Sequence, residues 1–418
     1  MEYIKSKDIF LLMRDTLKLI HQRPMAHGSR VAYMVYLMLR EGGRYEEFEL
    51  ADMVMVATMH DIGAYMTEAG KINDILRYEA KDSMAHSIYG YLFFKHLSPV
   101  KDLAKAIMYH HMDYDKLQKV DYAYKDLAAY INIAEKMDIY STSMGSQFDM
   151  YMFQKQAGNK LSSDGLYLFY QCAEKYSIFE KIANGEYKKE LDEIVEYMIF
   201  SNEDKKKFLE MLMYCFGFRS RAMVVDSITT VCVCDELAES MMLPKQEREI
   251  LYYGALLHDI GMLAIPKEII EAPRKLTPEE MRLLRTHVQI AAKAFKDRMD
   301  PEVVRIALAH HERCDGSGYP RKLKDLQLNL PQRILQVGDV VTALVNERSY
   351  RQLLPKEKVI SILTEEASRK RLKQQVVITF VKSYDQIMQR VRSESAEILK
   401  MYEMLNMQYE LVGKKLKV

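Results

Sequence analysis

The tetrapeptide HDIG occurs twice in this 418-residue chain, at 60–63 within "TMHDIGAY" (58–65) and at 258–261 within "LLHDIGML" (256–263). The two copies are 198 residues apart, and similar offsets recur around them. The pairs His110–His111 and His310–His311 are offset by 200, and His86 and His287 by 201. The runs "HGSRVAYMVYLML" from His27 and "DSITTVCVCDELA" from Asp226 are offset by 199, and "INIAEKMDIY" around Glu135 and "LQVGDVVTAL" around Asp339 by 204. Five landmarks in one order at near-constant spacing mark a duplicated unit of about 200 residues. That period is too long for a solenoid and means two similar domains in tandem, which the length of the chain also favours.

Both domains read as all-α. "VAYMVYLMLR" and "VVITFVKSYDQIMQRV" carry apolar residues at helical spacing. "LTPEEMRLLRTH" opens a helix with Thr277 as N-cap, Pro278 in the first turn and Glu280 completing a capping box. Period-2 runs bounded by turns are scarce. Residues 186–216 hold no Pro and no Gly and place Leu191, Ile194, Val195, Met198 and Ile199 on one helical face, so they are expected to form a helical connector. The expected organisation is a first domain at 1–185, the connector at 186–216, a second domain at 217–390 and a C-terminal helix at 391–418. Eight of the ten prolines lie beyond residue 240, which gives the second domain the more defined loops.

Composition narrows the class. Hydrophobic residues make up 49% and charged residues 28%, as in ordinary folded chains, and 60 basic against 59 acidic residues leave a net charge of +1. That balance argues against a bulk electrostatic grip on a nucleic acid duplex or a membrane surface. No apolar run approaches the ~18 residues of a membrane span. The opening "MEYIKSKDIF" lacks a secretion-signal core, and the five cysteines form no CxxC pair. Reduced, buried thiols and a cytoplasmic location are expected.

Of the eleven histidines, nine sit at the repeated landmarks, with His21 and His96 outside them. A lone buried histidine is usually hydrogen-bonded core; adjacent His-His and His-Asp pairs repeated in two domains are not explained that way. The first domain supplies His27, His60, Asp61, His86, His110, His111 and Glu135; the second supplies Asp226, His258, Asp259, His287, His310, His311 and Asp339. Imidazoles with carboxylates and no thiolate suit Fe, Mn, Co, Ni or Zn and are too nitrogen-rich for Ca or Mg. Seven donors exceed the needs of one ion. Two ions sharing a carboxylate would use them, and such a pair serves to activate water and clamp a phosphoryl group.

In the second half, "LLHDIG", "IPKEII", "KLTPEE", the helix from His287, "HHERCDGSGYP" (310–320), "RIL" and "ERSYR" together resemble the HD-GYP family, a branch of the HD phosphohydrolases, from about Asp226 to Arg351. The first half, with "HGSRV", "MHDIG", "HSIYG", "YHH" and "AEKMD", resembles a divergent HD copy without the Gly-Tyr-Pro turn. The resemblance implies an all-helical fold and two or three divalent transition metals per site, iron or manganese foremost. It also implies hydrolysis of the 3′–5′ phosphodiester bonds of cyclic di-GMP or a related cyclic dinucleotide. Carried over by position, His258, Asp259 and Asp339 would hold one metal, with Asp226 where the family has histidine. His287, His310 and His311 would hold the second, with Asp259 bridging. In the first half, His27, His60, Asp61 and Glu135 would form one site and His86, His110 and His111 the other. His258 and Asp259 are accordingly the expected catalytic pair.

Two departures qualify this, Asp226 in place of the family's histidine and the residue that follows HDIG. The family has Lys directly after HDIG, where this chain has Met262 and, in the first half, Ala64. Loss of that cation removes a stabiliser of developing phosphate charge. Gly318, Tyr319 and Pro320 are expected to shape the loop over the site and to contact substrate there, and Arg313 and Arg333 offer planar forks for phosphate or guanine. A non-catalytic regulator that binds a nucleotide or a partner, and an HD phosphohydrolase of a phosphomonoester nucleotide, are the competing readings. A homodimer or a signalling partner is compatible with each.

Overall fold

The computed structural model describes residues 3–20, 22–65, 75–218, 220–347 and 353–416. His21, Arg348–Arg351 of "ERSYR" and the last two residues of the C-terminal tail lie outside them. Among the described residues the protein is all-α, with no β-strand and three isolated bridges, Ile4 with Met299, Ala157 with Leu161 and Asp315 with Lys324. No described helix is long and apolar enough to cross a membrane.

The chain divides into two compact units, one of Met1–Ile20 with Leu209–Glu403, the other of His21–Phe208 with Met404–Val418. In the second of these, helix Gln22–Gly42 is the centre: Val31 through Leu39 are all buried, as befits a helix apolar on every side. Helices Glu47–Thr58 and Lys125–Met144 pack on it, and helix Ile75–Leu97 packs on Ala104–Tyr109 and on the 3-10 turn Ile62–Tyr65. The other unit repeats this order. Its central helix Arg221–Ser240, with Thr229 through Cys234 buried, packs against Lys245–Leu257 and Leu330–Val345, and helix His287–Phe295 packs on the 3-10 turn Ile260–Ala264. Its buried hydroxyls pair across the packing, Thr230 with Thr342 at 2.8 Å.

The unit boundaries differ from the linear ones. Residues 1–20 share a unit with the second repeat: helix Ser6–Ile20 buries Ile9, Phe10, Leu12, Met13 and Leu17 and packs on the Ile260–Ala264 turn. There the Tyr3 carbonyl accepts from the Asp300 amide at 2.8 Å and Arg298 donates to Asp15 at 2.5 Å. The end of the chain falls with the first repeat, where Tyr409 stacks on Tyr89 at 4.1 Å and His96 Nε2 meets Gln408 Oε1 at 2.9 Å. The C-terminal helix itself begins earlier than expected, at Tyr384, after Ser383 ends helix Gln374–Lys382.

The connector is not one helix. Helix Tyr187–Ile194 tightens to a 3-10 turn at Val195–Tyr197, and Met198 is extended before helix Asn202–Tyr214. Leu191, Ile194, Val195 and Met198 are buried, but Ile199 is 81% exposed, because the extended backbone removes it from the helical face. The Thr277 cap is found as expected: Thr277 Oγ1 accepts from the Glu280 amide at 3.2 Å and the Thr277 amide donates to Glu280 Oε2 at 2.8 Å.

The glycine of each HDIG stretch sets the approach of the next helix. A Cβ on Gly261 would collide with the His287 carbonyl oxygen, and one on Gly63 with the His86 carbonyl oxygen. Only a bare Cα lets the turn that follows His-Asp abut the helix that carries the next histidine. Replacing Gly261 by Ala is expected to destabilise the protein by about 1–3 kcal/mol through overpacking. Denaturant unfolding measures this, and an unchanged midpoint would show that the helix can retreat without cost.

Candidate metal centres

Five imidazoles are fixed by one device. The Nδ1–H of His60, His110, His258, His287 and His310 faces the backbone carbonyl three residues back: Ala57 at 2.7 Å, Ile107 at 2.5 Å, Ala255 at 2.7 Å, Leu284 at 2.6 Å and Ala307 at 2.7 Å. A ring that donates from Nδ1 keeps the lone pair on Nε2, the atom a metal needs.

In the first half the freed Nε2 atoms converge. His86 Nε2 lies 2.9 Å from His111 Nε2, 3.4 Å from His110 Nε2 and 3.3 Å from Asp61 Oδ1. Asp61 Oδ1 is 3.6 Å from His60 Nε2, and Glu135 Oε2 is 3.5 Å from His111 Nδ1 and 4.0 Å from His110 Nε2. Donor atoms of His86, His110 and His111 lie within 4.8 Å of one another, as do those of His60, Asp61, His110 and Glu135. Ligand atoms bound at ~2.1 Å to one ion stand about 3.0–3.4 Å apart, so the spacing fits. The chemistry of the orphaned atoms fits too: His60 Nε2 and Asp61 Oδ1 are buried without a hydrogen bond, a cost that a cation would remove. His27 stands beside this set, its ring 5.3 Å from that of His60.

Sequence reading missed the group that orients His27. Asp138 Oδ2 holds His27 Nδ1 at 2.7 Å, and Arg30 grips both oxygens of Asp138 at 2.5 and 2.8 Å. The signal was present, since Asp138 follows Glu135 by three residues and Arg30 follows His27 by three, on the same helix faces.

In the second half Asp259 is central. Its Oδ2 lies 3.4 Å from His258 Nε2, while Oδ1 lies 3.4 Å from His287 Nε2 and 3.6 Å from His310 Nε2. One carboxylate oxygen thus faces each side, the placement a bridging ligand requires. His287 and His310 approach at 3.1 Å, His287, His310 and His311 form a second three-donor set, and Asp339 Oδ2 sits 3.2 Å from His311 Nδ1. Asp226, expected among these ligands, accepts from Asn346 Nδ2 at 2.7 Å through Oδ1.

Charge differs between the two clusters. In the first, burial together with neighbouring imidazoles holds His110 and His111 well below the usual histidine range, and burial and His27 hold His60 below it. Burial would raise Asp61, but the surrounding histidines outweigh it and hold the carboxyl low. In the second, burial disfavours the charged His258, yet Asp259 and Asp339 overcome this and push it up to about 9. Burial lowers His287 and His310. Asp259 and Asp339 stay low because the imidazoles outweigh burial.

The "HHERCDGSGYP" turn folds over the second cluster. Buried Glu312 anchors it, its two oxygens accepting from the Arg321 amide at 2.7 Å and the Leu323 amide at 2.8 Å. Gly318 lies so close to Glu312 that a Cβ would stand 2.5 Å from its Cα. The Tyr319 amide donates to the His311 carbonyl at 3.1 Å, its ring lies 4.7 Å from that of His311, and the peptide to Pro320 is cis. Arg313 donates from Nη1 to the carbonyls of His310 and Glu312 at 3.3 and 2.9 Å. Arg333 pairs with Asp325 at 2.9 Å, and Lys373 takes another oxygen of that carboxylate at 2.8 Å. Both arginines therefore brace the loop. The arginine that sequence reading missed is Arg285, exposed and set 5.0 Å from the Tyr319 ring; nothing in its local sequence marked it. In the first half the chain after His111 makes no such turn. The Tyr114 and Asp115 amides donate to the Lys160 and Asn159 carbonyls at 3.1 and 2.9 Å.

Residues 213–376 match the HD domain family. This segment is an HD domain. The chain is 26% identical over 399 residues to the 3′3′-cGAMP-specific phosphodiesterase 1 of Vibrio cholerae, covering 88% of this chain and 89% of that protein. It is 35% identical over 164 residues to a cyclic di-GMP phosphodiesterase of Thermotoga maritima, covering 38% of this chain and 44% of that protein. The chain therefore spans most of the first relative and under half of the second. A crystal structure of a cyclic GMP-AMP specific phosphodiesterase from V. cholerae superposes with a TM-score of 0.59 at 16% identity, over 92% of this chain and 98% of that one, so the fold is shared. The HD domain of the second half is homologous to the HD-GYP phosphodiesterases.

A metal can bind His258 only after displacing its proton, whereas His60, His110 and His111 are already neutral at pH 7. Metal affinity of the second cluster is therefore expected to rise as pH climbs through neutrality towards about 9, while that of the first stays level. Competition titrations against a chromogenic chelator, on His110→Ala and His310→Ala proteins, read the two slopes separately. Equal slopes would contradict a protonated His258.

Proposed function

We propose that the protein is a metal-dependent phosphodiesterase that opens cyclic di-GMP or 3′3′-cGAMP, with the HD domain of the second half carrying turnover. The observation that carries this reading is Asp259 facing histidines on both sides beneath the Tyr319 loop. The named substrates of the relatives support the substrate class. The first half is read as a divergent HD copy, on the same order of helices and the same histidine pairs. Five free, buried cysteines agree with a reducing, cytoplasmic setting.

In this reading His258, Asp259 and Asp339 hold one metal, and His287, His310 and His311 the other, with Asp259 shared. Iron or manganese is favoured; Co, Ni or Zn also suits the donors. Bound metals supply Lewis acidity and an activated water for in-line displacement at phosphorus. The chain's own residues do the rest. Glu312, Arg313 and Arg333 keep the loop rigid, so Tyr319 holds its ring beside His311, where a nucleobase or ribose can rest. Arg285, exposed beside that ring, presents a guanidinium to the phosphate and replaces the cation that Met262 lacks. Hydrolysis breaks one P–O bond of the ring, and water supplies the oxygen on phosphorus and the proton on the departing ribose oxygen.

Purified protein loaded anaerobically with iron(II) or manganese(II) is expected to convert these cyclic dinucleotides to linear products, resolved by chromatography. His258→Ala and Asp259→Asn should abolish the conversion. Absence of product with any of the five metals would overturn the reading. Arg285→Ala is expected to lower kcat/KM about 10- to 100-fold, the loss of a charge-assisted hydrogen bond of about 1.5–3 kcal/mol; an unchanged value would remove Arg285 from the site. A second reading, a regulator that binds nucleotide without turnover, draws on the engagement of Asp226 by Asn346. Binding of cyclic dinucleotide without product in every metal form would select it.

A further inference from the structure

The two clusters differ in access to solvent. In the first half the side chains of His60, His86, His110 and Glu135 are fully buried, His111 is 6% exposed and Asp61 10%. In the second half Asp259 is 27% exposed, His311 23% and Asp339 17%. The chain that leaves His111 is tied by two backbone hydrogen bonds to residues 159–160, where the second half builds its loop over an open site.

We infer that the first-half cluster is a closed metal site whose ion serves the fold, and that turnover is left to the open cluster of the second half. Structural metal sites are enclosed by their ligands, whereas catalytic ones keep a position for water or substrate. A cyclic dinucleotide finds little to contact among donors of which four are fully buried and the other two are no more than 10% exposed. Those donors still demand a cation. A buried carboxylate among four imidazoles, with His60 Nε2 and Asp61 Oδ1 lacking hydrogen bonds, is costly for a folded core unless an ion joins them. The Arg30–Asp138–His27 chain points the same way, since a carboxylate that fixes a histidine beside a metal site preserves affinity for the ion. At the matching place the second half has Thr342, bonded to Thr230, and Asp226 in place of His27. The closed site thus has an arginine-held carboxylate behind its first histidine, and the open one has none at that place. This deepens the phosphodiesterase reading and rests on it only for where turnover occurs.

The test uses the full chain loaded with manganese(II) and then dialysed against EDTA, with metal counted by mass spectrometry. His310→Ala disables the open cluster, and that protein is expected to keep its manganese. His110→Ala disables the closed one and should lose manganese to EDTA. Asp138→Asn should weaken the retained ion about 10- to 100-fold. Stripping that ion under denaturant and refolding without metal should lower the melting temperature, and manganese should restore it. If His110→Ala does not fold, Glu135→Gln keeps the volume and takes its place. Equal release from the two clusters, no manganese held in His310→Ala, or a melting temperature indifferent to the closed ion would overturn the inference. None of these readouts needs substrate, so they stand even if the second half proves inactive. Linear product formed by His310→Ala protein would overturn the assignment of turnover alone.

Discussion

The hydrogen bond from a histidine Nδ1 to the carbonyl one helical turn back is the contact on which both centres depend. It recurs at His60, His110, His258, His287 and His310. Each bond spends the outward nitrogen on backbone and leaves the inward one as a ligand, and each needs its histidine near a helix end where a carbonyl is unclaimed. The glycine of HDIG supplies the complementary constraint. Its bare Cα lets the turn press against the His86 or His287 carbonyl, which carries Asp61 or Asp259 between histidines from different helices.

From this shared frame the two halves diverge by what surrounds the donors. In the second half a loop anchored on Glu312 arches over a partly exposed cluster, and an acidic excess of Asp259 and Asp339 charges His258. In the first half the donors are more deeply buried, His60, His110 and His111 are held below the usual histidine range, and an arginine-held aspartate orients the histidine that the other half lacks. Similar ligand sets thus present different chemistry, because access and net charge are properties of the surroundings and not of the HDIG motif.

Much of the fold could be read from sequence because duplication exposes itself as spacing. Repeated HDIG stretches and histidine pairs mark the helices that bear them, and helical periodicity with caps such as Thr277–Glu280 marks where elements start. The reading failed where the cause was not local. Ile199 fits the apolar face of a continuous helix but is exposed, since the helix ends in a 3-10 turn before it. Residues 1–20 precede the first repeat in sequence but bury their apolar face within the unit of the second. Chain order does not fix which core an amphipathic end will complete.

By itself the sequence determined the all-α class, the two-fold repeat and the identity of the clustered donors, because helix periodicity and ligand chemistry are written in residue type and spacing. Only the tertiary structure decided which donors meet, that Asn346 donates to Asp226, that Asp138 and Arg30 stand behind His27, and that Arg313 and Arg333 brace the loop while Arg285 lies over the Tyr319 ring. It also decided which cluster is closed. The physical reason is that burial and partner choice depend on contacts between residues far apart in the chain, and local pattern carries no record of them.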